Sequence, residues 1–137
     1  MGIKSQQNGN EGQRIIVGLL REYGFWVHVT QRKPDGSQPV DIIALRSDCS
    51  WLMDAKFVRA ENKGRFSFDD IQANQISSME YAYEHAGIDN LGFAIVFEEE
   101  KECPRFLPFS EYMSLKRDGN KSIKKEGLAP LYTYVGN

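Results

Sequence analysis

Three charged residues interrupt two apolar segments of the chain, where a folded core would normally carry none. Asp41 lies within PVDIIALR, and Asp54 and Lys56 lie within WLMDAKFV. Because burying an unpaired charge is costly, such residues are expected to pair with one another or to bind an ion. Two carboxylates and a lysine at this spacing therefore indicate a chemical site inside an otherwise apolar hairpin.

Strand alternation brings the three side chains towards one another. On a predicted strand over residues 51–58, Asp54 and Lys56 share one face, while the opposite face is entirely apolar. On a predicted strand over residues 39–46, Asp41 likewise interrupts an apolar face. The joining loop, SDCS, is short and folds Asp41 back towards the Asp54–Lys56 pair, although the sequence leaves the pairing register open.

Two converging carboxylates form a hard-oxygen site that suits Mg²⁺, with Mn²⁺ as a substitute. We expect Asp41 and Asp54 to be its side-chain ligands, with waters and the backbone carbonyl of Ala55 completing the coordination. Lys56 would orient or help to deprotonate a water, or stabilise charge developing on a phosphate. The competing interpretation is a buried Asp54–Lys56 ion pair with Asp41 as an unrelated turn residue; the spacing favours the metal site.

The surrounding pattern predicts the elements that position these residues. Apolar residues at helical spacing indicate a helix from Asn10 to Tyr23, stopped by Gly24. This helix is followed by predicted strands over 25–30, 39–46 and 51–58, a helix over 69–85 and a buried strand over 91–97. The α-β-β-β-α-β order predicts an α/β fold with a mixed central sheet flanked by helices.

The remaining segments give weaker signals. NKGRFS is predicted to be a loop, and RFLPF a short strand at the sheet edge, since Pro108 cannot donate to a strand ladder. SEYMSLKR is predicted to be a short helix with Ser110 as its cap.

Composition sets the outer limits of the interpretation. The 137 residues suit a single domain, of which residues 1–9 are expected to form a flexible tail. No apolar run is long enough to span a bilayer, and the polar N-terminus lacks a signal-peptide core, so we expect a cytoplasmic protein without a membrane partner. The net charge is −2, but basic residues concentrate in two stretches, 59–65 and 116–125.

The PVD…DAK pattern resembles the motif of the PD-(D/E)xK nuclease superfamily, in which an Asp precedes a D/E-x-K on the next strand. A second stretch, GRFSFDDIQANQISSMEYAYEHAG…GFAIVF, is similar to RecU-type Holliday-junction resolvases of Gram-positive bacteria and their phages. The resemblance covers roughly residues 41–97. It implies a restriction-endonuclease-like fold with an αβββαβ core in a single nuclease domain over residues 1–137.

The resemblance assigns catalytic positions to Asp41, Asp54 and Lys56, and a glutamine position to Gln75. Periodicity independently sets Gln75 on the inward stripe of the second predicted helix, where a core would prefer an apolar residue; a glutamine satisfied by backbone is the alternative. With the resemblance, Gln75 is expected to position the metal-bound water or the scissile phosphate.

The activity implied is that of a Mg²⁺-dependent endodeoxyribonuclease that hydrolyses phosphodiester bonds in Holliday junctions or other branched DNA, during recombination or repair. Such an enzyme would act as a homodimer in the cytoplasm of a bacterium or of a phage-infected host. The alternatives are a restriction-like or repair nuclease acting on duplex or flap DNA, and a non-catalytic DNA-binding module that keeps the fold. The intact set of Asp41, Asp54 and Lys56 argues against the last.

Basic residues in the loops beside the site are expected to contact DNA phosphates. They are Arg32, Lys33, Arg59, Lys63 and Arg65. The first helix of such nucleases commonly lends another carboxylate, and either Glu11 or Gln13 could serve here; for Glu11, a helix start favoured by the dipole is a sufficient explanation.

Three features depart from the RecU-type pattern. Asp54 replaces the more usual Glu, which shortens its reach by one methylene. Asn74 stands where relatives often have His. The segment before Pro39 is short, so the extended stalk that contacts the junction centre in RecU is missing or lies elsewhere.

Overall fold

A mixed sheet of six strands forms the frame of the structure, a computed structural model that describes residues 3–30 and 40–136. Within these residues, four helices and a separate two-stranded ribbon complete the fold. The helices are α1 (Ile3–Glu22), α2 (Ala73–Glu84), α3 (Phe109–Arg117) and α4 (Tyr132–Val135). The strands are β1 (Trp26–Val29), β2 (Ile42–Arg46), β3 (Cys49–Val58), β4 (Arg65–Ser67), β5 (Leu91–Phe97), β6 (Arg105–Pro108), β7 (Ser122–Lys124) and β8 (Ala129–Pro130).

The strands of the main sheet run in the order β1-β2-β3-β5-β6-β8. β3 and β5 pair in parallel, whereas the other neighbours are antiparallel. α2 lies in the crossover between β3 and β5, because parallel strands need a long connection. All of β5 is buried, as its continuous apolar run predicts. The predicted α/β class, with a mixed central sheet flanked by helices, is confirmed.

Helices cover both faces of this sheet and create two apolar cores. On one face, α1 contributes Ile16 and Leu20 to a core with Met53 of β3 and Val96 of β5. The other face carries a second core, to which α2, α3 and β5 contribute Met79, Ala82, Phe93, Ile95, Phe109 and Tyr112. β3 therefore lies between two layers, and its alternating side chains enter both.

α1 is longer than predicted, since it begins at Ile3 rather than at Asn10. Residues 3–9, which we expected in a flexible tail, include Lys and Gln, which favour helices, and no proline. A helix can propagate into such a segment beyond its apolar stripe. The apolar pattern therefore predicted a start of the helix that lies too far along the chain. Within the described residues, neither α1 nor another helix is long and apolar enough to cross a membrane.

The region between β3 and α2 also differs from the prediction. Arg65–Ser67, expected in a loop, form β4, which pairs with β7 far along the chain. A 3-10 turn over Phe68–Asp70 follows, in which the Ser67 hydroxyl accepts a bond from the Asp69 amide at 3.2 Å. α2 consequently starts at Ala73 rather than at residue 69.

The segment RFLPF forms a strand but not the sheet edge, because β8 pairs outside β6 at Arg105 and Phe106. β8 does not reach Pro108, which is why a proline is tolerated there. The short helix that follows is confirmed as α3. Its predicted cap was wrong: α3 begins at Phe109 after Pro108, with no side-chain capping bond, and Ser110 lies inside the helix.

Gly92 lies where β5 and β6 approach closely. A Cβ at this position would collide with the carbonyl oxygen of Leu107 and lie 2.7 Å from the ring of Phe106. We expect Gly92→Ala to lower the free energy of unfolding by about 1–3 kcal/mol, because overpacking forces buried neighbours to shift. Urea denaturation followed by circular dichroism measures this.

Gly18→Ala is the matched control. Gly18 is exposed on α1, and nothing lies within 4 Å of a Cβ there. Replacing a glycine inside a helix by alanine should raise the free energy of unfolding by about 0.5–1 kcal/mol. Equal gains in both variants would contradict the close approach at Gly92.

Candidate active site on the β2–β3 hairpin

The β2–β3 hairpin brings Asp41 and Asp54 side by side. The strands pair antiparallel with Ile42 opposite Met53, so the next position along the hairpin holds the two aspartates. The Asp41 amide donates to the Met53 carbonyl at 3.2 Å, and Asp41 Oδ2 accepts a bond from the Ala55 amide at 3.3 Å. Both residues are buried, with 8% of Asp41 and 2% of Asp54 exposed. The hairpin thus collects two carboxylates in a buried position.

Lys56 connects this pair to the elements on the same face of the sheet. Its ammonium lies 3.0 Å from Asp54 Oδ2. It donates a hydrogen bond to Gln75 Oε1 on α2 and another to the backbone carbonyl of Asp70, each at 3.3 Å. A strand, a helix and a 3-10 turn therefore converge on one positive charge.

Asp54 Oδ2 is an exception to the usual satisfaction of buried polar atoms. The Lys56 ammonium is at ion-pair distance, but it is not aligned for a hydrogen bond, and Oδ2 has no hydrogen-bond partner among the described residues. The carboxylate therefore keeps an acceptor lone pair for a further cation or donor. Asp54 Oδ2 is therefore the atom at which a bound metal ion would find an unused ligand.

The donor set fits Mg²⁺ or Mn²⁺ held mainly by water. The strand register supplies two carboxylate donors, Asp41 and Asp54. Within the described residues, no cluster of three or more His, Cys, Asp or Glu side chains could hold a metal. One or two carboxylates with several waters are a common set for Mg²⁺, which loses its hydration shell reluctantly. Ala55, whose carbonyl the sequence suggests as a ligand, directly follows Asp54 and bonds Asp41 through its amide.

Gln75 lies on the side of α2 that faces Lys56, as its place in the helical stripe predicts. It is half-buried, while Met79, one turn later, is fully buried. Its side-chain oxygen accepts the bond from Lys56. Asn74, the preceding residue, is exposed.

Glu11 is not brought together with the two aspartates. Its carboxylate forms a 2.7 Å ion pair with Lys101. α1 packs on the other face of β3, where a Cβ on Gly12 would lie 3.3 Å from Phe57 Cβ. Phe57 and Lys56 point to opposite faces because they are consecutive strand residues. Gln13 lies on the same helix, half-buried.

The opposite end of the hairpin is held by Arg46. Its guanidinium donates to the backbone carbonyls of Tyr23 at 2.6 Å and Val135 at 3.1 Å, which ties β2 to the ends of α1 and α4. It also pairs with Asp48 in the hairpin turn at 2.6 Å, and this hydrogen bond lowers the pKa of the Asp48 carboxyl. These contacts reinforce the register that sets Asp41 beside Asp54.

The basic residues expected to contact DNA have different surroundings. Arg32 and Lys33 lie outside the described residues. Arg59 pairs with Glu61 at 3.4 Å, Lys63 is exposed in a turn with a positive φ of 54°, and Arg65 is exposed on β4. The last two therefore present positive charge at the surface.

No signal in the sequence predicted the contact between Lys56 and Asp70. Asp70 contributes its backbone carbonyl, so its residue type carries no signal. The 3-10 turn over Phe68–Asp70 directs this carbonyl at the ammonium. The position of this turn depends on the pairing of β4 with β7, which lies far along the chain, so local sequence does not predict it.

Comparison with known proteins shows similarity in structure. The chain resembles the Holliday junction resolvase Hjc of the archaeal hyperthermophile Archaeoglobus fulgidus, with a TM-score of 0.63, 17% identity, and coverage of 94% of this chain and 96% of that one. It also resembles a bacterial homing endonuclease, with a TM-score of 0.56, 12% identity, and coverage of 90% and 75% respectively. No protein-family model and no curated protein sequence matches the chain. At these identities the likeness establishes the restriction-endonuclease-like fold alone.

The Asp54–Lys56 pair is expected to contribute to the free energy of unfolding. Lys56→Met leaves Asp54 as an uncompensated buried charge, so it should lower the free energy of unfolding by about 2–4 kcal/mol, somewhat less than for a fully enclosed pair. Adding Asp54→Asn should restore part of that loss, because the buried charge is then removed. Urea denaturation of the single and double variants measures the coupling.

Lys101→Met is the control for this cycle. It breaks the Glu11–Lys101 pair, whose lysine side chain is 42% exposed, and should cost less than about 1 kcal/mol. Equal losses for Lys56→Met and Lys101→Met would show that Asp54 does not depend on its lysine.

Proposed function

We propose that this protein is a metal-dependent DNA endonuclease that hydrolyses phosphodiester bonds, with Holliday junctions or related branched DNA as its substrate. The observation that carries the proposal is the buried Asp41–Asp54 pair, whose Oδ2 on Asp54 lacks a hydrogen-bond partner within the described residues and lies beside Lys56. The restriction-endonuclease-like fold supports it, since both structural neighbours named above are nucleases.

Asp41 and Asp54 would hold Mg²⁺, which supplies a Lewis acid and lowers the pKa of bound water. The residues themselves account for the remaining electrostatics. The Lys56 ammonium, held by Asp54, Gln75 and the Asp70 carbonyl, can stabilise negative charge on the oxygens of the scissile phosphate. Its position costs no reorganisation during the reaction, because three groups already fix it.

Gln75 acts through Lys56 in this proposal. Its amide oxygen accepts a hydrogen bond from the ammonium and so limits the directions in which the lysine can extend. An acidic residue at the same position would pair with the ammonium and weaken its attraction for phosphate. A neutral amide orients the lysine without adding a second negative charge to that of Asp54, which suits a group that must meet an anion.

We favour branched DNA as the substrate because the similarity to the archaeal resolvase covers nearly the whole of both chains. Resolution of a junction needs two symmetric cuts, which a twofold homodimer would supply. The second candidate is a nuclease acting on linear duplex or flap DNA, which the likeness to the homing endonuclease favours.

A cleavage assay tests these candidates. Labelled four-way junction, flap and linear duplex are incubated with the protein in Mg²⁺, in parallel with Asp54→Asn and Lys56→Gln. Symmetric nicking confined to the junction, reduced about a hundredfold or more in both variants, is the expected result. Equal cutting of all three substrates would favour the general nuclease, and binding without cutting in Mg²⁺ or Mn²⁺ would contradict both enzymes.

Metal binding is tested separately from cleavage. Mn²⁺ should raise the thermal unfolding midpoint of the protein, because a ligand that binds the folded state stabilises it. Asp41→Asn and Asp54→Asn should abolish the rise, whereas Asp89→Asn, a change at an exposed residue outside the hairpin, should preserve it. A rise that survives in both hairpin variants would locate the metal elsewhere.

A further inference from the structure

Two basic stretches that are far apart in the sequence lie side by side in the β4–β7 ribbon. The strands pair antiparallel, with Arg65 opposite Lys124 and Phe66 opposite Ile123. Phe66 is 1% exposed and packs in the core, so the alternate residues Arg65 and Lys124 point to the outside. We define the basic ribbon by four exposed residues that lie on these strands or within two positions of them: Lys63, Arg65, Lys121 and Lys124.

These four cations differ from neighbouring basic residues, because the neighbours form ion pairs. Arg59 pairs with Glu61, and Lys125 pairs with Glu99, each at 3.4 Å. Within the described residues, no member of the basic ribbon contacts a carboxylate. Arg65 donates to the hydroxyl of Ser122 on the facing strand at 2.8 Å, which orients its guanidinium along the outer surface. The ribbon therefore presents positive charge that the protein does not neutralise, in a chain whose net charge is −2.

The basic ribbon is joined directly to the candidate site. The Phe68 amide donates to the Lys121 carbonyl at 2.9 Å. Two residues later, the Asp70 carbonyl accepts the bond from Lys56 at 3.3 Å. The backbone of Lys121 can thus be at most about 16 Å from the Lys56 ammonium. One DNA strand carries a phosphate every 3.4 Å along the helix axis, so this distance corresponds to at most about five nucleotides.

We propose that the basic ribbon binds the phosphate backbone of a duplex DNA arm that leads to the scissile bond, without sequence preference. The position of the scissile bond rests on the proposed function; the binding of duplex phosphates does not. Lys124, which lies opposite Arg65 on the outer face of β7, and Lys121, which is exposed immediately before β7, join Lys63 and Arg65 as phosphate contacts. Contacts of this type position a protein on DNA without reading its bases.

Two double variants test the inference. Lys121→Gln/Lys124→Gln removes two charges from the basic ribbon. Arg14→Gln/Arg21→Gln removes two from exposed positions of α1, which packs on the other face of the sheet. Each changes the net charge of the chain from −2 to −4, so general electrostatics are matched. Circular dichroism and the urea midpoint verify that both remain folded.

Affinity for labelled linear duplex and four-way junction is measured by fluorescence anisotropy in EDTA, from about 50 to 200 mM salt. The ribbon variant should bind about tenfold more weakly, and the slope of log K against log salt should flatten by about 1.8, since each lost contact contributes about 0.9. The α1 variant should retain both values. Equal losses in the two variants, or none in the ribbon variant, would overturn the inference.

Lys121→Arg/Lys124→Arg keeps both charges and should bind as the wild type does. A loss of binding in this variant equal to that of the glutamine variant would assign the effect to packing and overturn the phosphate contact. A hydroxyl-radical footprint on the duplex arm should show protection that the ribbon variant loses.

The outcomes separate this inference from the proposed nuclease activity. If the wild type binds duplex through the basic ribbon but does not cut in Mg²⁺ or Mn²⁺, the nuclease proposal fails and the ribbon contact stands. If the wild type cuts DNA while the ribbon variant binds as the α1 variant does, the ribbon inference fails and the nuclease proposal stands.

Discussion

The compensation of a buried negative charge is the constraint around which this structure is organised. Asp54 is almost completely enclosed, and a carboxylate in that position needs a cation close by. Lys56 supplies the positive charge from the same strand, two residues away and on the same face. Its ammonium is in turn fixed by Gln75 and by the Asp70 carbonyl. The hairpin, α2 and the 3-10 turn are thus linked through one side chain.

β3 can carry these charges because the strand has two different faces. Met53 faces the core formed with α1, so that side is closed by apolar packing. On the face that carries Asp54 and Lys56, Gln75 of α2 accepts a hydrogen bond from the lysine, which keeps 19% of its side chain exposed. The result is a buried carboxylate with a partly exposed cation above it. This arrangement allows an anionic ligand to approach the lysine from solvent.

The basic residues elsewhere in the molecule divide into those that pair with a carboxylate and those that do not. Arg46, Arg59, Lys101 and Arg105 each pair with a carboxylate and so contribute little to the external field. The β4–β7 ribbon leaves its cations unpaired within the described residues. A small net negative charge therefore conceals a local positive surface, and it is the local surface that a polyanion meets. Net charge alone is a poor guide to the partners of such a protein.

The sequence by itself determined the features that depend on neighbouring residues. Strand alternation was enough to assign Asp54 and Lys56 to one face, the apolar run over 91–97 was enough to predict a buried strand, and helical spacing turned Gln75 inward. Only the tertiary structure decided the register that sets Asp41 beside Asp54, because pairing depends on contacts across two strands. The same holds for β4: its three residues form a strand because β7, more than fifty positions later, supplies the partner. Local periodicity carries no record of such a partner, so the sequence predicted a loop where the fold builds a ribbon.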